Sequence, residues 1–121
     1  LFSMMKANKE DETMALANLH KWAFFYFSPD FSPEQNTVIN RNPMGTCEMI
    51  TVGFDPRAKE DGSIIEVAKQ LKTEGVQFIE LCGGFGPTWT TKINEALDFA
   101  IPVGAVMYGP EFRKQLFEIM N

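Results

Sequence analysis

A glycine-rich stretch, Cys82-Gly83-Gly84-Phe85-Gly86-Pro87, is the part of the chain whose residue types most directly suggest ligand binding. Because glycine has no Cβ atom, backbone N–H groups in such a turn can closely approach a ligand. A helix is expected to begin directly after it, and a helix N-terminus adds partial positive charge. The turn is therefore a candidate site for a phosphate or carboxylate, with Gly83, Gly84, Phe85 and Gly86 as its binding residues. A tight turn that binds nothing also needs glycine, and that alternative stays open.

Glu80 and Cys82 are candidate catalytic residues next to this turn. Strand alternation places Glu80 on one face of a strand that is expected to be buried, where a carboxylate needs a partner. It is a candidate general base, or else a structural residue in an ion pair. Cys82 precedes a helix start, which can lower a thiol pKa, although a small buried side chain is the plainer interpretation.

Two further residues follow predicted strands and are candidate ligand contacts. Arg57, in Asp55-Pro56-Arg57, can offer a guanidinium group to an anion. Tyr108 ends the last predicted strand and can present its hydroxyl to the same space. The alternatives are a solvated loop charge for Arg57 and a half-buried ring for Tyr108.

Cysteine and histidine are too few for a common metal site. The chain has two cysteines, Cys47 and Cys82, without paired spacing, and one histidine, His20. We expect no metal, no cofactor and a reduced, cytoplasmic protein. His20 begins the first predicted strand, so parallel pairing would place it at the opposite end of the sheet from Cys82.

Short apolar runs that alternate with amphipathic stretches predict the elements that position these residues. Strands are expected over 21–27, 47–54, 76–81 and 102–108, with a short edge strand at 37–39. Ser63 and Glu66 suggest a capping box for a helix that ends near Gly75. A second helix is marked by the apolar series Trp89, Ile93, Ala96, Leu97 and Ala100. A last helix follows Gly109-Pro110, with Phe112, Leu116 and Ile119 on one stripe.

This alternation predicts an α/β fold: a single layered domain with a mainly parallel sheet of four or five strands and three flanking helices. Ligands of such sheets collect outside the carboxyl ends of the strands. Strands that are apolar on both faces need helices on both sides, and three helices are too few. We therefore expect a homo-oligomer in which one sheet face or edge packs against a copy.

Composition narrows the class of protein. The 121 residues suit one domain, which we assign to residues 20–121, after a polar N-terminal extension at residues 1–19. A net charge of −5, without a basic cluster, argues against nucleic-acid binding. No apolar run reaches the ~18 residues of a membrane span, so no membrane partner is expected.

The segment Ile79-Glu80-Leu81-Cys82-Gly83-Gly84-Phe85-Gly86-Pro87 resembles a family of small, mostly bacterial proteins whose domain has no assigned function. The resemblance extends from about Lys21 to Tyr108, and it includes Thr51-Val52-Gly53 and Pro102-Val103-Gly104. It implies a compact domain and draws attention to residues 80–87, but it carries over no catalytic residue.

Three hypotheses about function remain. The leading one is a cytosolic, homo-oligomeric protein that binds a small anionic metabolite at the glycine-rich turn, oriented by Glu80 and Arg57. The second is a cofactor-free isomerase or lyase with Glu80 as general base and Cys82 or Tyr108 as the second acid/base group. The third is a structural assembly unit without a ligand.

Overall fold

The fold is built on a five-stranded sheet, seen in a computed structural model that describes residues 16–120. The strands are β1 (Lys21–Phe27), β2 (Thr37–Arg41), β3 (Glu48–Phe54), β4 (Ile79–Leu81) and β5 (Val103–Ala105). Their order across the sheet is β2-β3-β1-β4-β5. β3, β1, β4 and β5 are parallel, whereas the edge strand β2 runs antiparallel to β3.

Within the described residues, three α-helices accompany the sheet: α1 (Ser63–Thr73), α2 (Gly86–Ala96) and α3 (Arg113–Met120). Short 3₁₀ helices occupy Pro56–Lys59 and Pro110–Phe112. The predicted α/β class, with a mainly parallel sheet and three helices, is confirmed. Of the predicted N-terminal extension, residues 1–15 lie outside the described residues, and residues 16–18 form a turn before β1. No helix within residues 16–120 has the length and apolar character needed to cross a membrane.

The core lies on one face of the sheet. α1 connects β3 to β4 and α2 connects β4 to β5, so both crossovers step in the same direction, and right-handed crossovers of this kind place their helices on one face. α1 and α2 bury their apolar stripes there against alternate residues of the strands. This core contains Ala23, Phe25, Ile50, Val52, Phe54, Ile79 and Leu81 from the sheet and Ile64, Ala68, Leu71, Trp89 and Ile93 from the helices.

The opposite face of the sheet is covered neither by α1 nor by α2, and we call it the open face. β1 contributes Trp22, Phe24 and Tyr26 to it, all three half-buried, while Ala23 and Phe25 on the core side are fully buried. The prediction that β1 is buried on both faces is therefore wrong for the described residues. The physical reason is that β1 reaches β3 through the edge strand β2 and not through a helix.

Helix α1 begins differently from the prediction. Ser63 is already the first residue of the helix, so it cannot be the capping residue, which precedes the helix. Gly62 takes that position at a φ of 80°, and the Ser63 N–H donates to Asp61 Oδ1 at 2.9 Å. Bonding from Ser63 lowers the pKa of Asp61. The predicted left-handed Gly75 is confirmed at a φ of 96°.

Several predicted elements are shorter in the structure. Val76 lies in the turn after α1, where its N–H donates to the Leu71 carbonyl oxygen of the helix end, and β4 starts only at Ile79. β5 ends at Ala105, since β4 offers no partner beyond Leu81. Ala100 lies outside α2 and is exposed.

The apolar stripe predicted for the last helix is not a core stripe. Phe112 is 56% exposed and Ile119 is 73% exposed, while Leu116 is half-buried. The reason is positional: α3 lies at the carboxyl edge of the sheet rather than over a face, so only one side of the helix meets the rest of the protein.

Gly53 of β3 provides a test of packing on the open face. A Cβ atom at this position would lie 2.6 Å from Phe31 Cδ2 and 2.9 Å from Tyr26 Oη. We expect Gly53→Ala to lower the free energy of unfolding by about 1–3 kcal/mol in urea titrations, since the rings must move.

Gly104→Ala is the matched control, because Gly104 lies on the same face and an added Cβ would meet no atom within 4 Å. Its effect should stay within about 0.5 kcal/mol. Equal losses from the two substitutions would contradict the packing described for Gly53.

Candidate functional site

The loops after β1, β3, β4 and β5 all emerge at the carboxyl edge of the sheet, because these strands are parallel. After β1 the chain continues to β2 and β3, which lie on one side of β1, whereas after β4 it continues to β5 on the other side of the sheet. The connections that follow β1 and β4 therefore lead in opposite directions, and in many open α/β sheets ligands bind at such a point. The glycine-rich turn, residues 82–86, lies at this point.

Hydrogen bonds hold the turn at both ends but leave its middle free. The Cys82 N–H donates to the Phe25 carbonyl oxygen at 2.9 Å, and the Phe85 N–H donates to the Cys82 carbonyl oxygen at 3.1 Å. No hydrogen bond within residues 16–120 involves the N–H of Gly83 or Gly84. These two N–H groups are therefore available as donors.

Side chains pack closely on the turn, which explains two of its glycines. A Cβ at Gly83 would lie 2.6 Å from the ring of Tyr108. At Gly84 it would lie 3.0 Å from the Met120 methyl group and 3.2 Å from the Phe27 ring. The turn is therefore partly covered, and any ligand must approach it beside Tyr108.

Lys59 fixes the turn to the 3₁₀ helix that follows β3. Its Nζ donates to the Gly84 carbonyl oxygen at 3.0 Å and lies 5.0 Å from the centroid of the Phe27 ring. This bond orients the Gly84 peptide and places a positive charge at the turn.

The sequence predicts Phe85 as a ligand contact, whereas the structure buries its side chain in the core. Its side chain is 4% exposed and stacks on Phe27, with ring centroids 4.0 Å apart. It also meets Phe54 and Trp89 edge to face. The Phe85 side chain is therefore part of the core, because the turn directs it inward between β1 and α2.

A cleft of about 610 Å³ opens beside the turn, and we call it the carboxyl-edge cleft. The turn, the start of α2, the end of β5 and α3 form its walls. It is lined by Gly83, Gly86, Pro87, Thr90, Thr91, Ala105, Val106, Met107, Tyr108, Arg113 and Leu116. Its volume is within the range of small-molecule sites.

The lining of the cleft is neutral except for one cation. Arg113 carries the only charge, and the lining residues within the described chain include no carboxylate, imidazole or thiol. Thr90, Thr91 and Tyr108 contribute hydroxyl groups, while Met107 and Leu116 supply apolar surface. Such a site can hold an anionic group together with an apolar portion of the same molecule.

Arg113 also differs from the other two arginines of the chain. Arg41 pairs with Glu48 at 2.8 Å, and Arg57 pairs with Asp55 at 2.7 Å. Arg113 makes no ion pair within residues 16–120. Its guanidinium group is therefore free to bind an anion.

Arg57 is not brought to the cleft. Its Nε donates to Asp55 Oδ1, and its Nη2 lies 3.2 Å from Asp30 Oδ1. The guanidinium group that was predicted to bind a ligand is thus occupied by two carboxylates from its own loops. Its role in the described structure is to join the loops after β1 and β3.

Asp55 is the centre of this cluster. It accepts hydrogen bonds from the Arg57 side chain, the Arg57 N–H and the Asp30 N–H. Bonding from Arg57 is the main cause that holds the pKa of Asp55 far below its usual range, and Asp55 in turn raises the pKa of Arg57. The cluster accommodates Asp30 at a positive φ of 65°.

Glu80 is exposed on the open face and not buried as predicted, because neither α1 nor α2 covers that side of β4. It lines a separate groove of about 290 Å³ with Gly104 and Val106. Cys82 is half-buried and packs against the core. His20 precedes the amino end of β1, at the opposite edge from Cys82.

Thus, of the predicted site residues, Gly83, Gly86 and Tyr108 line the cleft, whereas Gly84, Phe85, Arg57, Glu80 and Cys82 do not. Sequence reasoning missed Arg113, Thr90 and Leu116. The only signal for them was their position on helices next to the glycine-rich turn and to Gly109-Pro110, which does not reveal that α3 folds back beside the turn. Within residues 16–120 no group of three or more His, Cys, Asp or Glu side chains converges to hold a metal ion.

Comparison with known protein families shows to which family this chain belongs. A model described as a family of unknown function (DUF6506) matches residues 20–121, which is most of the chain. The chain belongs to this family. The match begins just before β1, so the DUF6506 domain comprises the sheet and all three helices. No curated protein and no solved structure matches the chain.

The Asp55 cluster predicts a pH dependence of stability. Because the folded-state pKa of Asp55 lies below its value of about 3.9 in an unfolded chain, the carboxylate stabilises the fold above that pH and loses this effect as the pH falls further. We expect Asp55→Asn to lower Tm by a constant amount between about pH 7 and 5, and by less below about pH 4.

Glu34→Gln is the control, since Glu34 is an exposed carboxylate that lines one groove together with Asp55 and Arg57 but makes no ion pair within residues 16–120. It should leave Tm unchanged. A Tm difference for Asp55→Asn that persists undiminished to about pH 2 would contradict the ion pairing.

Proposed function

We propose that this protein binds a small anionic metabolite in the carboxyl-edge cleft. The observation that supports the proposal is that Arg113, the one arginine without an ion pair in the described chain, is the single charged residue of a ligand-sized cleft. Gly83 lines the same cleft and has a backbone N–H without an internal partner. A guanidinium group and a free backbone donor together suit a carboxylate or phosphate.

The rest of the lining narrows the ligand class. Met107, Leu116 and Ala105 provide apolar surface, while Thr90 and Thr91 provide hydroxyl groups from α2. A molecule that carries a carboxylate or phosphate on an apolar or aromatic body complements both. The net charge of −5 makes a local cation necessary, because the protein as a whole repels anions.

Binding fits the geometry better than acid–base catalysis. The isomerase or lyase hypothesis needs two titratable groups that converge, but Glu80 lines its own groove and Cys82 does not line the cleft. Tyr108 alone of the three candidate acid/base residues reaches the cleft.

We also propose that the protein is located in the cytosol. The free thiols of Cys47 and Cys82 support this location.

Thermal-shift measurements test the proposal with phenyl phosphate and benzoate as probes and benzyl alcohol as their neutral counterpart. A ligand that binds only the native state raises Tm in a concentration-dependent way. We expect at least one anionic probe to raise Tm and benzyl alcohol not to do so. Arg113→Gln should weaken binding of that probe about 10- to 100-fold, because it removes a charged donor.

Lys114→Gln is the matched control: Lys114 is the next residue on α3, also basic and exposed, but it does not line the cleft. It should retain wild-type affinity. Equal losses from both variants would indicate only a general charge effect, and an absence of any anion-dependent shift would overturn the proposal.

A further inference from the structure

We infer that the open face of the sheet is the interface of a homodimer. The centre of this face is the row Trp22, Phe24 and Tyr26 on β1, the middle strand of the sheet. Trp22 stacks on Phe78 with ring centroids 5.2 Å apart, and Tyr26 meets Phe31 edge to face at 5.7 Å. The inference is independent of the proposed anion site, which lies at the carboxyl edge.

The open face has the composition of an interface and not that of a solvated surface. Its strand residues are Trp22, Phe24, Tyr26, Val38, Asn40, Met49, Thr51, Gly53, Glu80 and Gly104. Glu80 is the single charged residue among them. Parallel strands are normally covered on both faces, whereas the helices described within residues 16–120 cover only the core face.

The bounds of the domain favour a second copy as the partner. The family model covers residues 20–121, and every helix in that range up to Met120 is already placed away from this face. Residues 1–15 lie outside the described residues and outside the matched family domain, and five of them are charged: Lys6, Lys9, Glu10, Asp11 and Glu12. The described residues of the domain therefore supply no helix for this face, and a second copy of the chain is the partner that we infer. The lack of basic residues on the face argues against nucleic acid or an acidic membrane.

The size of the face suits a weak dimer. Its strands have 7, 5, 7, 3 and 3 residues, which at a rise of about 3.3 Å per residue and a spacing of about 4.8 Å cover a flat area of about 400 Å² per copy. Two copies would then bury about 800 Å² between their strands, which is the size of weak, transient interfaces. We therefore expect a dimer that forms at micromolar concentrations.

A two-fold axis brings the aromatic row of one copy onto the same row of its partner, as in other isologous interfaces. Two sheets can pack face to face about 10 Å apart with interdigitated side chains. Glu80 lies one strand away from the row, beside Gly104 and the groove of about 290 Å³. Water can reach its carboxylate through that groove, so the charge need not be buried without a partner.

Light scattering after size-exclusion chromatography of the full chain tests the inference. At about 50 µM the wild-type protein should have twice the chain mass of 13.7 kDa. Phe24→Glu places a charge at the centre of the interface and should weaken dimerisation at least 100-fold, yielding a monomer. Thr51→Arg is a second central variant, at a position already polar and half-buried, in case Phe24→Glu fails to fold. Circular dichroism establishes that each variant is folded.

Phe112→Glu is the matched control, since Phe112 is an exposed aromatic residue outside the sheet. It should remain dimeric, and so should a chain that lacks residues 1–15. A wild-type monomer at about 200 µM would overturn the inference. Dissociation by Phe112→Glu with a folded, dimeric Phe24→Glu would assign the interface to α3 instead. A chain that is dimeric only with residues 1–15 would show that this segment forms the contact.

Discussion

The pairing of β1 with two parallel neighbours is the constraint on which the carboxyl edge depends. Phe25 is fully buried and pairs in register with Val52 of β3 and Leu81 of β4. A slip by one residue would move every side chain of β1 to the other face, so the buried set holds the register firmly. β4 ends at the level of Phe25, whereas β1 continues to Phe27. The glycine-rich turn therefore lies beside the end of β1, where Phe27 stacks on Phe85.

This arrangement gives the turn both a structural and a potential binding role. Close contacts with Tyr108, Met120 and Phe27 require the absence of a Cβ at Gly83 and Gly84. The N–H groups of the same two glycines also make no hydrogen bond within residues 16–120. Packing alone thus accounts for these two glycines, whereas Arg113 and the neutral cleft around it favour an anionic ligand. The arginine of the cleft is supplied by α3 and not by the loop after β3, where Asp55 and Asp30 occupy Arg57.

Several differences between prediction and structure have one cause, which is that α1 and α2 cover the same face of the sheet. The crossover from β1 to β3 uses the edge strand β2, so it contributes no helix, and both remaining crossovers step the same way. As a result Glu80, which strand alternation correctly separates from Ile79 and Leu81, is exposed and not buried. The same geometry leaves the aromatic row of β1 half-buried. α3 covers neither face of the sheet and instead forms one wall of the cleft.

Local sequence patterns determined the class of fold, the bounds of β1, the buried stripe of α1, the left-handed Gly75 and the position of a glycine-rich turn at the carboxyl edge of the sheet. These features depend on short-range chemistry: alternation of apolar residues, turn residues and the need for glycine where φ is positive or contacts are close. The tertiary structure decided which face of the sheet is covered, where α3 lies, which arginine is free and which glycines line a cleft. These depend on strand order and on contacts between residues far apart in the chain, such as Arg57 with Asp30 or Gly83 with Tyr108, and no local pattern encodes them.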